Sequence, residues 1–152
     1  MGSYTHLTYH IVFGTKFRRN SIRQENQSDL YSYIGGIVRK KKGSIIEIGG
    51  VADHIHVLAK LSPAISVSDS VRDMKANSSK WMVDNGAEDF QWQIGYGAFT
   101  VSFSMIDQVA EYIRKQKEHH RARSFQEEYV AILKKHGIEF DAKYLFEGEH
   151  CG

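Results

Sequence analysis

Residues 44–61 read SIIEIGGVADHIHVLAKL, two β-rich runs, 44–51 and 54–61, on either side of the dipeptide Ala52-Asp53. A connection this short makes the runs an antiparallel hairpin. Successive side chains of a strand point to opposite faces. In the second run Ile55, Val57, Ala59 and Leu61 therefore share one face, and His54, His56, Leu58 and Lys60 share the other. The hairpin has an apolar side for a core and a side that carries two imidazoles. Pro63, the only proline, ends it.

Upstream, residues 5–16 (THLTYHIVFGTK) set Leu7, Tyr9, Ile11 and Phe13 against His6, Thr8, His10 and Val12, the period of a first strand. Between that strand and the hairpin, about 23–42, Leu30, Ile34, Ile37 and Val38 recur at helical spacing, and the helix is expected to stop at Gly43. A second helix is read over 66–83 through Val67, Val71, Met74, Trp81 and Met82, closed by Asn85-Gly86. Residues 91–103 alternate as a last strand, with Gly95 and Gly97 weakening it and Trp92, Tyr96 and Phe99 read as core aromatics. Ser104 with Asp107 reads as the cap of a third helix running through Tyr112 to about His119, and Ser124 with Glu127 as the cap of a fourth. The order β-α-β-β-α-β-α-α describes one α+β domain over 1–152: a ferredoxin-like (RRM-like) antiparallel sheet, helices mainly on one face, and an extra C-terminal helical part.

Composition narrows the class. With 152 residues, 41% hydrophobic and 25% charged, the chain fits one cored domain and excludes disorder and a multidomain enzyme. A single cysteine, Cys151, allows neither an intramolecular disulfide nor a multi-thiolate zinc site, so a cytoplasmic setting is expected. No apolar run reaches the roughly 18 residues of a membrane span, and no signal peptide is read at the start. The net charge of +2 hides an asymmetry: residues 1–42 hold eight Lys/Arg against two Asp/Glu. Together with Arg114, Lys115, Lys117, Arg121 and Arg123, that points to a polyanion partner, or to solvated helix faces.

The chemistry concentrates at His54 and His56, which point the same way about 7 Å apart at Cα, a spacing suited to one metal ion. Two strand histidines alone are a signal of low specificity. On the third helix, Ile106, Val109, Ala110 and Ile113 make a core face, flanked by a stripe of Met105, Tyr112 and Gln116. A tyrosine there reads either as packing or as a nucleophile toward a phosphate polarised by a divalent cation, with Gln116 as an oxygen ligand.

Taken together, His54-Ile55-His56, Tyr9-His10-Ile11-Val12-Phe13 with Thr15-Lys16, Lys75 with Ser78-Ser79, Gly95-Tyr96-Gly97-Ala98-Phe99, Tyr112-Ile113 with Gln116, His119-His120 and Ser124-Phe125 resemble, in order and spacing, the HUH-type single-tyrosine transposases of the insertion sequence 200/605 family. The resemblance runs from residue 4 to about 128; beyond Glu128 nothing is diagnostic. It implies a metal-dependent endonuclease and strand transferase acting on single-stranded DNA in the bacterial cytoplasm, at the nucleoid. Tyr112 would form a 5′-phosphotyrosine, and His54, His56 and Gln116 would hold Mg²⁺ or Mn²⁺. It also implies recognition of DNA hairpins near the ends of the element, and a homodimer with active sites that two subunits can share. Lys16, Arg18, Arg19, Arg39, Lys40, Lys41 and Lys42 become candidate DNA contacts, with helix-dipole partners as the other reading. Lys75 either touches phosphate or decorates its helix. His119 and His120 read as a solvent-facing pair, or as neighbours of the metal; Asp53 orients a histidine or merely makes the turn. Alternatives are a domesticated or inactive hairpin-binding protein of the same fold and, from another class, a zinc hydrolase in which Tyr112 is dispensable.

Overall fold

The computed structural model describes residues 2–120, 122–142 and 145–146; Arg121 and Cys151 lie outside them. Four strands, β1 (Thr8–Gly14), β2 (Ser44–Val51), β3 (His54–Lys60) and β4 (Gly97–Thr100), form one antiparallel sheet in the order β2-β3-β1-β4. With α1 (Gln24–Lys40) and α2 (Val67–Asp84) as crossovers, this is the expected ferredoxin-like α+β arrangement. Ile11 and Phe13 of β1 and Ile55, Val57 and Ala59 of β3 are fully buried against Leu30 and Ile34 of α1 and Val71, Met74 and Met82 of α2. Each of these side chains larger than alanine contributes about 1.5–3 kcal/mol on leaving water. A bulge between Ile45 and Glu47 in β2 resets the alternation, so that Ile45 and Ile48, three residues apart, pack into the same core.

The opposite face is covered by α3 (Ile106–Arg114), a single turn α4 (Gln116–His119) and α5 (Phe125–Lys135). Two small clusters form there. Leu58 and Val101 pack on Ala110 and Ile113, while Val12 and Phe99 pack on Phe125, Tyr129 and Leu133. Ser124 caps α5, its Oγ accepting from the Glu127 N–H at 3.2 Å. Helices thus occupy both faces, the two crossovers on one and the C-terminal set on the other. No helix of the described residues is long and apolar enough to cross a membrane.

Four local readings change. The chain leaves α1 at Lys42, which carries the left-handed φ of 66°. Gly43 serves instead a close approach, since a Cβ there would sit 2.7 Å from the Lys60 carbonyl oxygen. The last strand is four residues long: Gly95 turns the chain at φ 92°, and the Lys75 ammonium takes the carbonyls of Gln93 and Gly95 at 2.6 and 2.8 Å. Ile94 is consequently exposed, and Phe103 lies in an exposed 3-10 turn. Ser104 caps nothing; its hydroxyl pairs with that of Ser102 at 3.1 Å, and α3 begins at Ile106 without a side-chain cap. The third helix is broken at Lys115, so Tyr112 and Gln116 stand on α3 and α4.

Gly49 of β2 sits where α3 crosses the sheet: a Cβ would lie 2.5 Å from the Ile113 carbonyl oxygen and 2.9 Å from its side chain. Gly49→Val is expected to lower stability by about 1–3 kcal/mol through overpacking, read by urea unfolding followed by tryptophan fluorescence. An unchanged midpoint would contradict so close an approach.

Candidate active site

β1 and β3 pair with Val12 opposite His56 and His10 opposite Leu58, which sets His10 and His56 diagonally on the face away from α1 and α2. His54 and His56 are completely buried and His10 nearly so. Each of the two β3 histidines has its own backing group. Asp53 Oδ1 accepts from His54 Nδ1–H at 2.7 Å, leaving Nε2 to face the cavity between sheet and helices. His56 Nδ1 and His10 Nε2 share a hydrogen bond of 2.8 Å, so His56 also presents Nε2.

Both Nε2 atoms meet one carboxylate. Glu128 Oε1 lies 3.1 Å from His54 Nε2 and 3.1 Å from His56 Nε2, and Glu128 itself is completely buried. Gln116, also buried, places Oε1 3.0 Å from His54 Nε2 and donates from Nε2 to Glu128 Oε2 at 3.1 Å. His120 Nε2 stands 3.0 Å from both Gln116 Oε1 and Glu128 Oε1, while its Nδ1–H donates to the Arg123 carbonyl at 2.9 Å. The Tyr112 hydroxyl donates to Glu128 Oε2. Arg123 Nη2 is 3.5 Å from that hydroxyl, and the His119 ring stacks on Tyr112 at 4.7 Å.

Electrostatics follow from burial and from this one carboxylate. Burial pushes the His54 pKa down, but hydrogen bonds and charge from Asp53 and Glu128 outweigh it and hold the group at about 9. His56 goes the other way, burial prevailing over Glu128. Burial, with His56 beside it, pushes His10 down to about 3. For Glu128, burial favours the neutral acid, yet bonds from His120, His54 and His56 win and hold it far below the usual carboxylate range. Tyr112 is raised to about 12 by burial and by the neighbouring Glu128 charge.

The donor set fits a divalent cation. His54, His56 and Glu128 offer two imidazole nitrogens and a carboxylate oxygen, all within 4.8 Å of one another, a mixed nitrogen and oxygen set of the kind first-row divalent ions accept. Gln116 adds a neutral oxygen beside them.

Of the residues singled out in the sequence, His54, His56, Tyr112 and Gln116 come together here, and Asp53 backs His54. Of the two readings of His119 and His120, the solvent-facing one fails: they face Tyr112 and Glu128, as neighbours of the candidate site, because the break at Lys115 redirects the chain after α3. The basic residues divide. Lys16, Arg18 and Arg19 adjoin the β2-β3 turn at the His54 end of the sheet, where Thr15 N–H bonds the Asp53 carbonyl at 2.8 Å. Arg39, Lys40, Lys41 and Lys42 lie at the Lys60 end, roughly 20 Å away along β3. Lys41 pairs with Asp73 at 3.4 Å. The Lys75 ammonium is engaged by two protein carbonyls, and burial pushes its pKa down to about 8.

Sequence reading missed Glu128 and the part played by His10. A signal for the first existed: Phe125, Tyr129, Ile132 and Leu133 form the apolar stripe of α5, and Glu128 interrupts it. An acid in such a stripe needs buried partners.

Comparison with known proteins gives the family. The family model described as "Transposase IS200 like" matches residues 3–116. The transposase for insertion sequence element IS200 of Salmonella typhimurium is 32% identical over 117 residues, covering 72% of this chain and 76% of the relative. The ISDra2 transposase TnpA of Deinococcus radiodurans is 24% identical over 119 residues, covering 74% and 85%. Among solved structures, a REP-associated tyrosine transposase bound to a REP hairpin shares the fold with a TM-score of 0.61 at 16% identity, covering 79% of this chain and 74% of that one. With its paired histidines, its tyrosine and three quarters of its length inside the family's bounds, the chain belongs to the IS200-like transposases.

Proposed function

We propose that this transposase is a divalent-metal-dependent single-stranded DNA endonuclease and strand transferase with Tyr112 as nucleophile. The observation that carries this reading is the convergence of His54, His56, Gln116 and Tyr112 on Glu128, on one face of the sheet. A Mg²⁺ or Mn²⁺ ion held by His54, His56 and Glu128, with Gln116 beside them, would polarise the scissile phosphate. Glu128 Oε2 fixes the direction of the phenolic hydrogen, leaving a lone pair of the Tyr112 oxygen for phosphorus. A bond forms between that oxygen and phosphorus, the bond from phosphorus to the 3′ oxygen breaks, and the proton lost by tyrosine ends on the released 3′-OH. One phosphodiester replaces another, so a 3′-OH attacking the 5′-phosphotyrosine rejoins strands at the same site.

Hairpin recognition near the ends of the element belongs to the same reading, supported by the hairpin-bound structural relative. The basic loop at Lys16, Arg18 and Arg19 beside the Asp53 turn is the cationic surface at the His54 end of the sheet. The homodimer is also part of it. In the single chain the Tyr112 and His56 rings stand 5.8 Å apart, and within the dimer the tyrosine helix of one subunit could complete the histidine site of its partner.

Incubation with labelled single-stranded element ends and Mn²⁺, followed by a denaturing gel, tests the reading. A protein-linked DNA band is expected, lost in Tyr112→Phe with hairpin binding nearly intact. Persistent nicking by Tyr112→Phe would remove the tyrosine from its role, and binding without any adduct from the parent would favour a domesticated hairpin-binding protein. His56→Ala is expected to weaken Mn²⁺ binding and adduct formation together; unchanged Mn²⁺ dependence would count against the metal site.

The acid-base behaviour of the EDTA-treated protein gives a separate check. Folding raises His54 from 6.5 to about 9, so its contribution to stability is complete below about pH 6.5 and is lost as pH rises through about 9. Glu128, held below the carboxylate range in the fold, keeps its charge throughout and adds no slope there. Lys75, lowered to about 8, and the lowered His10 and His56 give the opposite slope, so the readout is the Tm difference between the parent and Asp53→Asn, which is expected to shrink as pH rises through about 9. A difference that stays constant or grows as pH rises through about 9 would sink the assignment of a charged His54.

A further inference from the structure

Tyr112 faces two spaces. One is the His54-His56-Glu128 cluster. The other is a cleft of about 570 Å³ between α5 on one side and the β4–α3 connection with α3 on the other, a volume within the usual range for small-ligand sites. Its walls join apolar side chains, Val101, Val109 and Ile132, to Arg123, Lys135 and His136. No aspartate or glutamate lines it among the described residues. Arg123 places its guanidinium beside the Tyr112 oxygen at 3.5 Å. The His136 ring stacks on Phe99 at 4.5 Å, a flat ring fixed at the wall. Burial and the adjacent Lys135 charge push its pKa down. Positive charge therefore comes from Arg123 and Lys135, at a cleft that opens on the proposed nucleophile.

An unpaired nucleotide has the chemistry for such a space: a flat apolar base face and an anionic backbone. Bases stack on apolar and aromatic surface largely irrespective of sequence, and backbone phosphates take up cations lining a groove. Gln108 and Ser102, also at the walls, offer hydrogen-bonding groups to a base edge. The far wall is α5, which lies outside the residues 3–116 matched by the family model.

We propose that the cleft seats one unpaired nucleotide adjoining the scissile phosphate, its base against Val101, Val109 and Ile132 and its backbone held by Arg123 and Lys135. The inference rests on the reading of Tyr112 as the group that attacks DNA, and names where the strand lies when it does. It gives α5 two tasks, one through Glu128 on its buried side and one through Lys135 at its outer end.

Binding of fluorescein-labelled dT12 in EDTA, followed by anisotropy, tests the seat without needing cleavage. Lys135→Glu, at an exposed position, and Ala131→Trp, which fills the cleft from α5, are each expected to weaken dT12 binding about tenfold. Lys135→Ala is expected to reduce the slope of log affinity against log salt by about 0.7, one phosphate contact on a single strand. A 4-thiothymidine in dT12 should crosslink to residues of α5 or of the segment 100–109. Circular dichroism confirms that each variant is folded, and Lys135→Glu carries the test if Ala131→Trp is not. Affinities within twofold of the parent, a loss in folded Lys135→Glu but none in folded Ala131→Trp, or crosslinks confined to other surfaces would overturn the proposal. An adduct from the parent together with unaffected binding by the α5 variants would overturn the seat alone. The expected losses without any adduct would overturn the cleavage reading and leave the seat standing.

Discussion

The buried carboxylate of Glu128 is the constraint on which the rest of the site depends. A lone ionised carboxylate inside a protein is costly enough that it ordinarily takes up a proton. Here it remains charged because His54, His56 and His120 lie within about 3.1 Å of one oxygen, and Gln116 and Tyr112 donate to the other. Those five groups come from β3, α3, α4 and the turn after α4, so satisfying one acid fixes the placement of most of the C-terminal half. Removing any one imidazole leaves the charge less compensated, and this couples the elements beyond what their small apolar clusters supply.

The two strand histidines are unequal despite their two-residue spacing. His54 is backed by a carboxylate, Asp53, which increases the basicity of the imidazole. His56 is backed by His10, an imidazole kept neutral by its own burial. Folding accordingly favours the charged form of His54 and the neutral form of His56. On the proposed metal-binding reading, a cation taking His54 Nε2 would displace the proton that charges it, so metal uptake would be linked to proton release.

Much of this was legible in the chain because it is written at short range. The period of 54–61 placed two imidazoles opposite an apolar face, and β3 does so. The Ser124 cap and the crossover helices were equally local and appear within a residue or two of where periodicity set them. What escaped depends on tertiary partners. Nothing near Lys75 in sequence says that its ammonium will claim the carbonyls of Gln93 and Gly95 and so shorten the last strand. The cap proposed at Ser104 failed because Ser102 took its hydroxyl and a 3-10 turn delayed the helix. Glu128 was visible as an acid in an apolar stripe, but its meaning depends on histidines 72 and 74 residues away, brought close only by α5 folding back onto the sheet.

The sheet separates two kinds of demand by its pleat. Ile11, Phe13, Ile55 and Val57 face α1 and α2 and answer to packing alone; His10, Val12, His54 and His56, one residue out of step, face the C-terminal helices and answer to chemistry and docking. A change on the first face is therefore felt as stability, and a polar change on the second in the charge balance around Glu128. Gly49 is where the division fails. Its missing side chain lets the Ile113 backbone lie against β2, and Ile113 follows Tyr112 directly. The distance from sheet to helix at that glycine, a packing quantity, thus sets how far the tyrosine oxygen stands from the histidine face, and the tolerance for error in it is that of a hydrogen bond.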